Sequence, residues 1–75
     1  MLEKKFFLIR GEYLLEGKVH IGYGVGCYMD GEELIFEDLS EDCRTTSNFV
    51  EKCNMLRLSP LHLCDAVDDF LAELG

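Results

Sequence analysis

The stretch Ser59-Pro60-Leu61-His62-Leu63-Cys64-Asp65-Ala66-Val67-Asp68-Asp69-Phe70 concentrates side chains that ligate metals and move protons. A histidine, a thiol and three carboxylates so close together could hold a divalent cation or serve acid–base chemistry. Their spacing argues against both. Ser59-Pro60 reads as a helix start, with Ser as N-cap and Pro at the first position. From that start Leu63, Ala66, Val67, Phe70, Leu71 and Leu74 form one apolar stripe. His62, Asp65, Asp68, Asp69 and Glu73 then face away from it, as polar residues do on any solvated helix. His62, Asp65 and Asp69 align on one side, yet a hard cation needs more oxygen ligands and usually a loop to supply them. A zinc site would need Cys64, which flanks the stripe. Acids near a helix start also oppose its dipole favourably, so they have a structural reason to be there.

The remaining chemistry is sparser. Gly22-Tyr23-Gly24-Val25-Gly26 falls inside an alternating segment rather than between a strand and a helix, and it has no following Lys, so it is not a phosphate loop. His20 has no nucleophile motif near it. Cys27, Cys43, Cys53 and Cys64 form neither a Cys-x-x-Cys pair nor a zinc-finger set, and the expectation is four reduced cysteines acting as small buried hydrophobes. The sequence therefore points to no catalytic residue, no metal ligand and no cofactor. The protein is expected not to be an enzyme.

The elements that position these residues follow from period. Hydrophobic residues make up 48% of the 75, enough for one small domain with a core. Residues 19–28 alternate strictly, with Val19, Ile21, Tyr23, Val25 and Cys27 on one side and His20, Gly22, Gly24, Gly26 and Tyr28 on the other. Asp30-Gly31 suits a type I′ turn. That turn sets Cys27 opposite Leu34 and Val25 opposite Phe36 in a second strand, Glu33–Asp38. Residues 5–15 read as an earlier strand. A three-residue loop, Glu16-Gly17-Lys18, would pair Leu15 with Val19 and bring Phe7, Ile9, Tyr13 and Leu15 to the core side. A two-residue loop would swap the sides and bury Arg10 and Glu12, so the three-residue loop is the expectation. Ser40 is expected to cap a helix whose apolar positions are Thr46, Phe49, Val50, Cys53 and Leu56. With the second helix from Ser59-Pro60, the order is βββαα. The fold class is α+β: a three-stranded antiparallel meander packed against two C-terminal helices.

Two surfaces could meet a partner. On the glycine side, Gly22, Gly24 and Gly26 remove side chains, and the expected register borders them with Phe6, Leu8, Leu14 and Tyr28, with His20 on the same side. The other surface is acidic. Net charge is −8, and Asp30, Glu32, Glu33, Glu37, Asp38, Glu41 and Asp42 run together without a base. Such a chain is not expected to bind nucleic acid or an anionic membrane directly. It favours a protein partner, including one with a basic surface, or a second copy of itself. The function expected is a small interaction module. The alternative is an acidic inhibitor that stands in for nucleic-acid phosphates on a basic protein, as phage or mobile-element anti-defence proteins do. The N-terminal residues lack the pattern of a signal peptide and no apolar run spans a bilayer, so a cytoplasmic location is expected.

Three segments carry a resemblance: Tyr23-Gly24-Val25, Phe36-Glu37-Asp38-Leu39-Ser40, and Leu58 through Leu71 with its Ser-Pro-x-His-Leu-x-Asp core. Together they resemble a family of short, uncharacterised clostridial-type bacterial proteins, a domain of unknown function. The likeness covers roughly residues 20–74. It implies a bacterial or mobile-element origin and a cytoplasmic protein, and it carries over no functional residue.

Overall fold

The computed structural model describes residues 5–74. Three strands, β1 (Phe6–Leu15), β2 (Lys18–Met29) and β3 (Glu32–Ser40), form an antiparallel sheet in the order β1-β2-β3. Helix α1 (Cys43–Met55) follows, then a 3-10 turn (Pro60–His62) that runs into helix α2 (Leu63–Leu74). This is the expected βββαα, α+β architecture.

The second hairpin has the expected register, with Cys27 opposite Leu34 and Val25 opposite Phe36. Asp30 and Gly31 take φ of 53° and 81°, the left-handed pair that a type I′ turn requires. The strand then runs past its expected end. Between the pairs Val25–Phe36 and Tyr23–Ser40, β3 bulges, and Asp38 sits at φ 52° within the bulge.

The first hairpin differs from expectation. Its loop has two residues, Glu16 and Gly17, at φ 52° and 78°, and Leu15 pairs with Lys18. The sides are therefore exchanged. Phe6, Leu8, Arg10, Glu12 and Leu14 lie on the helix side, opposite Cys27, Val25, Tyr23, Ile21 and Val19. The objection to this register was the burial of Arg10 and Glu12. The structure removes the objection, because the helices do not reach that far. The two side chains remain 53% and 64% exposed and approach each other at 3.7 Å.

The core lies where the helices do cover the sheet. Phe6, Val25 and Cys27 from the sheet meet Val50 and Cys53 from α1 and Leu63 and Val67 from α2, with Leu34, Phe36, Leu39, Phe49 and Leu58 packed around them. Phe49 and Phe70 stack between the helices at 4.5 Å. Leu56, expected in the core, is exposed, as are Leu71 and Leu74 in large part.

Helix α1 starts two residues later than expected. Asp42 is its N-cap and accepts from the amides of Arg44 (3.0 Å) and Thr45 (3.4 Å) and from the Thr45 hydroxyl (2.9 Å). Ser40 ends β3 instead, and its Oγ accepts from the Asp42 amide. The fully buried Thr46 satisfies its hydroxyl by donating to the Asp42 carbonyl at 3.0 Å. At the other end, Leu58 donates back to the Cys53 carbonyl and Arg57 to that of Asn54, with Arg57 at φ 52°. That is a Schellman ending with Arg57 in the position glycine usually takes. Ser59 does cap the second helical segment, accepting from the Leu61 amide.

One side chain ties helix to strand edge. Asn54 Oδ1 accepts from the Phe6 amide at 2.9 Å, and its Nδ2 donates to the Phe6 carbonyl at 3.0 Å. Asn54 thus acts as a one-residue strand on the outer edge of β1. Asn54→Leu should lower stability by about 1 to 3 kcal/mol, since it strands both Phe6 groups under the helix end. Asn54→Asp should also destabilise, because its carboxylate can accept from the amide but faces the Phe6 carbonyl. Thermal unfolding of the two variants checks this, and a wild-type Tm in Asn54→Asp would contradict it.

Candidate functional site

The His62–Asp69 face is solvated, as expected from the helix pattern. His62, Asp65, Asp68 and Asp69 are all exposed. Among the described residues no group of three His, Cys, Asp or Glu side chains is placed to hold a metal ion. Nor does any buried side-chain nitrogen or oxygen there lack a hydrogen-bond partner.

The cysteines divide into two pairs. Cys27 and Cys53 are buried, and burial pushes both thiols above their ordinary pKa. Cys43 and Cys64 are exposed, contrary to the expectation of four buried hydrophobes. A thiol reagent should label Cys43 and Cys64 in the native protein, and Cys27 and Cys53 only on unfolding. Mass mapping of the labelled residues checks the division.

The glycine side is not a bare platform. Gly22, Gly24 and Gly26 are buried. A Cβ on Gly26 would lie 2.6 Å from the Phe7 ring and 2.9 Å from Ile35. A Cβ on Gly24 would run into the Phe36 carbonyl oxygen, and one on Gly22 into the Asp38 carboxylate. Gly22 and Gly24 let the bulged β3 lie close over β2, and Gly26 makes room for the Phe7 ring. Phe6, Leu8 and Leu14 are absent from this side: Phe6 is in the core, and Leu8 and Leu14 lie on the helix side. Across the strands Gly26 faces Phe7, Gly24 faces Ile9 and Gly22 faces Gly11, with Tyr13 opposite His20 on the same side. Tyr28, 61% exposed, leans on Phe7 at 5.5 Å. His20 remains on this side, with Nδ1 3.6 Å from Glu41 Oε1. Because backbone blocks Gly24, Gly24→Ala should cost about 3 kcal/mol or more, so a bulky substitution there perturbs the fold before it reports on any partner. Urea unfolding of Gly24→Ala checks this.

The acidic run is exposed throughout, but its members are not equivalent. Asp42 caps α1. The Thr45 hydroxyl and amide, then the Arg44 amide and charge, hold its carboxyl below the ordinary value. The sign follows directly: a depressed folded pKa stabilises above the unfolded value and is lost as pH falls. Asp42→Ala should therefore lower Tm at neutral pH, with the gap to wild type closing as pH drops below about 4. Glu37 Oε2 lies 3.5 Å from the Tyr13 hydroxyl. Desolvation, then the charges of Glu37 and Asp38, raise the Tyr13 pKa. Asp38 lies over Gly22. Asp30 forms the turn. Glu32, Glu33 and Glu41 complete the run, and among the described residues none of the seven pairs with a Lys or Arg.

Two features were not anticipated. The first is a half-open groove of about 470 Å³ between α1 and α2, lined by Phe49, Leu56, Leu58 and Phe70 with Lys52 and Asp69. Its one thiol, Cys53, has a raised pKa and so is not poised as a thiolate. The second is the far half of the β1–β2 hairpin. There Leu14 and Val19 pair directly across the strands while 74% and 67% exposed, and Ile21 beside them is 38% exposed. Leu15 on the opposite side is 54% exposed. The outer edge of β1 runs along this segment with no strand beyond it among the described residues. The two-residue loop Glu16-Gly17 was the sequence signal for this surface, since it alone decides which side Leu14 takes.

No protein-family model, no curated protein and no solved structure matches this chain.

Proposed function

We propose that this protein is a small protein–protein interaction module without catalytic activity, and that it binds through the projecting half of the β1–β2 hairpin. The observation that carries this reading is the cross-strand pair Leu14–Val19, with Ile21 next to it, left in water beside an open strand edge. A hairpin with apolar residues on both sides and no layer over it has little to hold it alone. A partner that covers it supplies the missing layer. The hairpin is also electrically balanced. Between Phe6 and Tyr23 the charged residues are Arg10, Glu12, Glu16 and Lys18, in a chain of net charge −8. It is the part of the surface best suited to an apolar contact.

A second reading, the acidic inhibitor of a basic nucleic-acid-binding protein, draws on the exposed acids from Asp30 to Asp42, none of which pairs with a Lys or Arg among the described residues. Among the described residues no helix is long and apolar enough to cross a membrane, and both readings assume a cytoplasmic role.

The test compares affinity capture from the source organism by wild type, by Leu14→Ser/Val19→Ser, and by Glu32→Lys/Glu33→Lys/Glu37→Lys, at low and high salt. Leu14 and Val19 are exposed, so their replacement should leave Tm within about 0.5 kcal/mol equivalent of wild type. The hairpin reading expects a specific partner that survives salt and charge reversal and is lost with the serine variant. Loss with salt and charge reversal, but retention by the serine variant, supports the inhibitor and overturns the hairpin reading.

A further inference from the structure

We infer that the partner of the hairpin is a second copy of this chain, joined edge to edge through β1 about a two-fold axis at Gly11. The inference rests on the hairpin being the binding surface, and it follows from which backbone groups are open and which side chains flank them. Phe6 gives both its amide and its carbonyl to Asn54, so both point away from β2. In an antiparallel ladder that orientation alternates residue by residue. Leu8, Arg10, Glu12 and Leu14 therefore also present amide and carbonyl outward, along the free edge of the sheet. Asn54 closes the edge at Phe6, and the turn at Glu16 ends it on the other side.

Three registers of β1 against a second antiparallel β1 let these outward groups meet near the centre of the strand. Centring on Arg10 sets Arg10 against Arg10. Centring on Glu12 sets Glu12 against Glu12. Centring on Gly11 sets Arg10 against the other copy's Glu12 twice, Leu8 against Leu14 twice, and Ile9 against Tyr13 twice. Like charges directly opposite destabilise a ladder and opposite charges stabilise it. Charge thus selects the Gly11 register, and in it each outward amide from Leu8 to Leu14 finds a carbonyl. Each Arg10 already lies 3.7 Å from its own Glu12, so the four side chains would alternate in sign across the junction.

The same register addresses the uncovered apolar surface. A two-fold perpendicular to the sheet leaves both helix layers on one side. The far hairpin of each copy, with Leu14, Val19 and Ile21, then comes to lie beside the helix layer of the other. The opposite edge is unsuited to the role. β3 carries Glu32, Glu33, Glu37 and Asp38 and is interrupted by its bulge, which blunts it against pairing. An isologous β1 contact closes on itself as a dimer rather than growing into a filament.

Sedimentation equilibrium of wild type, Arg10→Glu, Glu12→Arg and the double swap tests this, with circular dichroism to confirm that each is folded. Wild type is expected to dimerise. Each single variant sets like charges opposite in both pairs and should raise the dimer dissociation constant about 10- to 30-fold. The double swap should restore it. An equimolar mixture of the two single variants should form a heterodimer, because one copy then carries Glu at both positions and the other Arg. A wild type that stays monomeric at about 1 mM, or single variants that dimerise as well as wild type, would overturn the inference. If such a monomer still loses a captured partner in Leu14→Ser/Val19→Ser, the hairpin reading stands without the dimer. If it does not, both fail.

Discussion

The helices are too short for the sheet. Thirteen residues in α1 and twelve in α2 make rods of about 20 Å, whereas twelve residues in β2 extend about 40 Å. The molecule's long dimension, 42 Å, is that of the strand. Two short helices can therefore cover only one end of the sheet. Everything else follows from that mismatch: a core gathered around Phe6, Val25 and Leu63, a far hairpin with no layer above it, and a strand edge closed at Phe6 but open beyond it.

The covered end is held by devices specific to individual residues. Asn54 reaches over the edge of β1 and binds Phe6 through both its oxygen and its nitrogen. The glycines at 22 and 24 let the bulged β3 settle onto β2 where a side chain would collide, and Gly26 makes room for Phe7. Asp42 collects the first amides of α1. These contacts fix how β1, β3 and the helices meet, and so determine where the cover stops. In the proposed dimer the acids on β3 disfavour pairing of that edge with a second copy, while the β1 edge is charge-balanced.

Much of the fold was legible in the sequence because its signals are local. Asp30-Gly31 dictated a turn and a register, and the agreement of Cys27 with Leu34 and Val25 with Phe36 confirmed it from packing. Ser59-Pro60 marked its helix start. The first hairpin was not legible in the same way. Its register hinged on whether Arg10 and Glu12 could share a side with the core, and that question assumes the core extends under them. Helix length was the missing quantity. The same assumption placed Phe6, Leu8 and Leu14 on the glycine side and set Val19 among the core residues, so their pairing across the uncovered hairpin was missed. The bulge at Asp38 has no local signal of its own. Only the glycines opposite it hint that backbone must come close, and they were equally consistent with a bare surface.

In the proposed dimer the outer edge of β1, open in one copy, is filled by another. Amide hydrogen exchange, read residue by residue at high and low protein concentration, tests this most directly. Pairing through β1 predicts that the Leu8, Arg10, Glu12 and Leu14 amides exchange slowly when concentrated and quickly when dilute, while Phe7, Ile9 and Tyr13, which face β2, stay slow throughout. Fast exchange at the four outward amides at every concentration would contradict it.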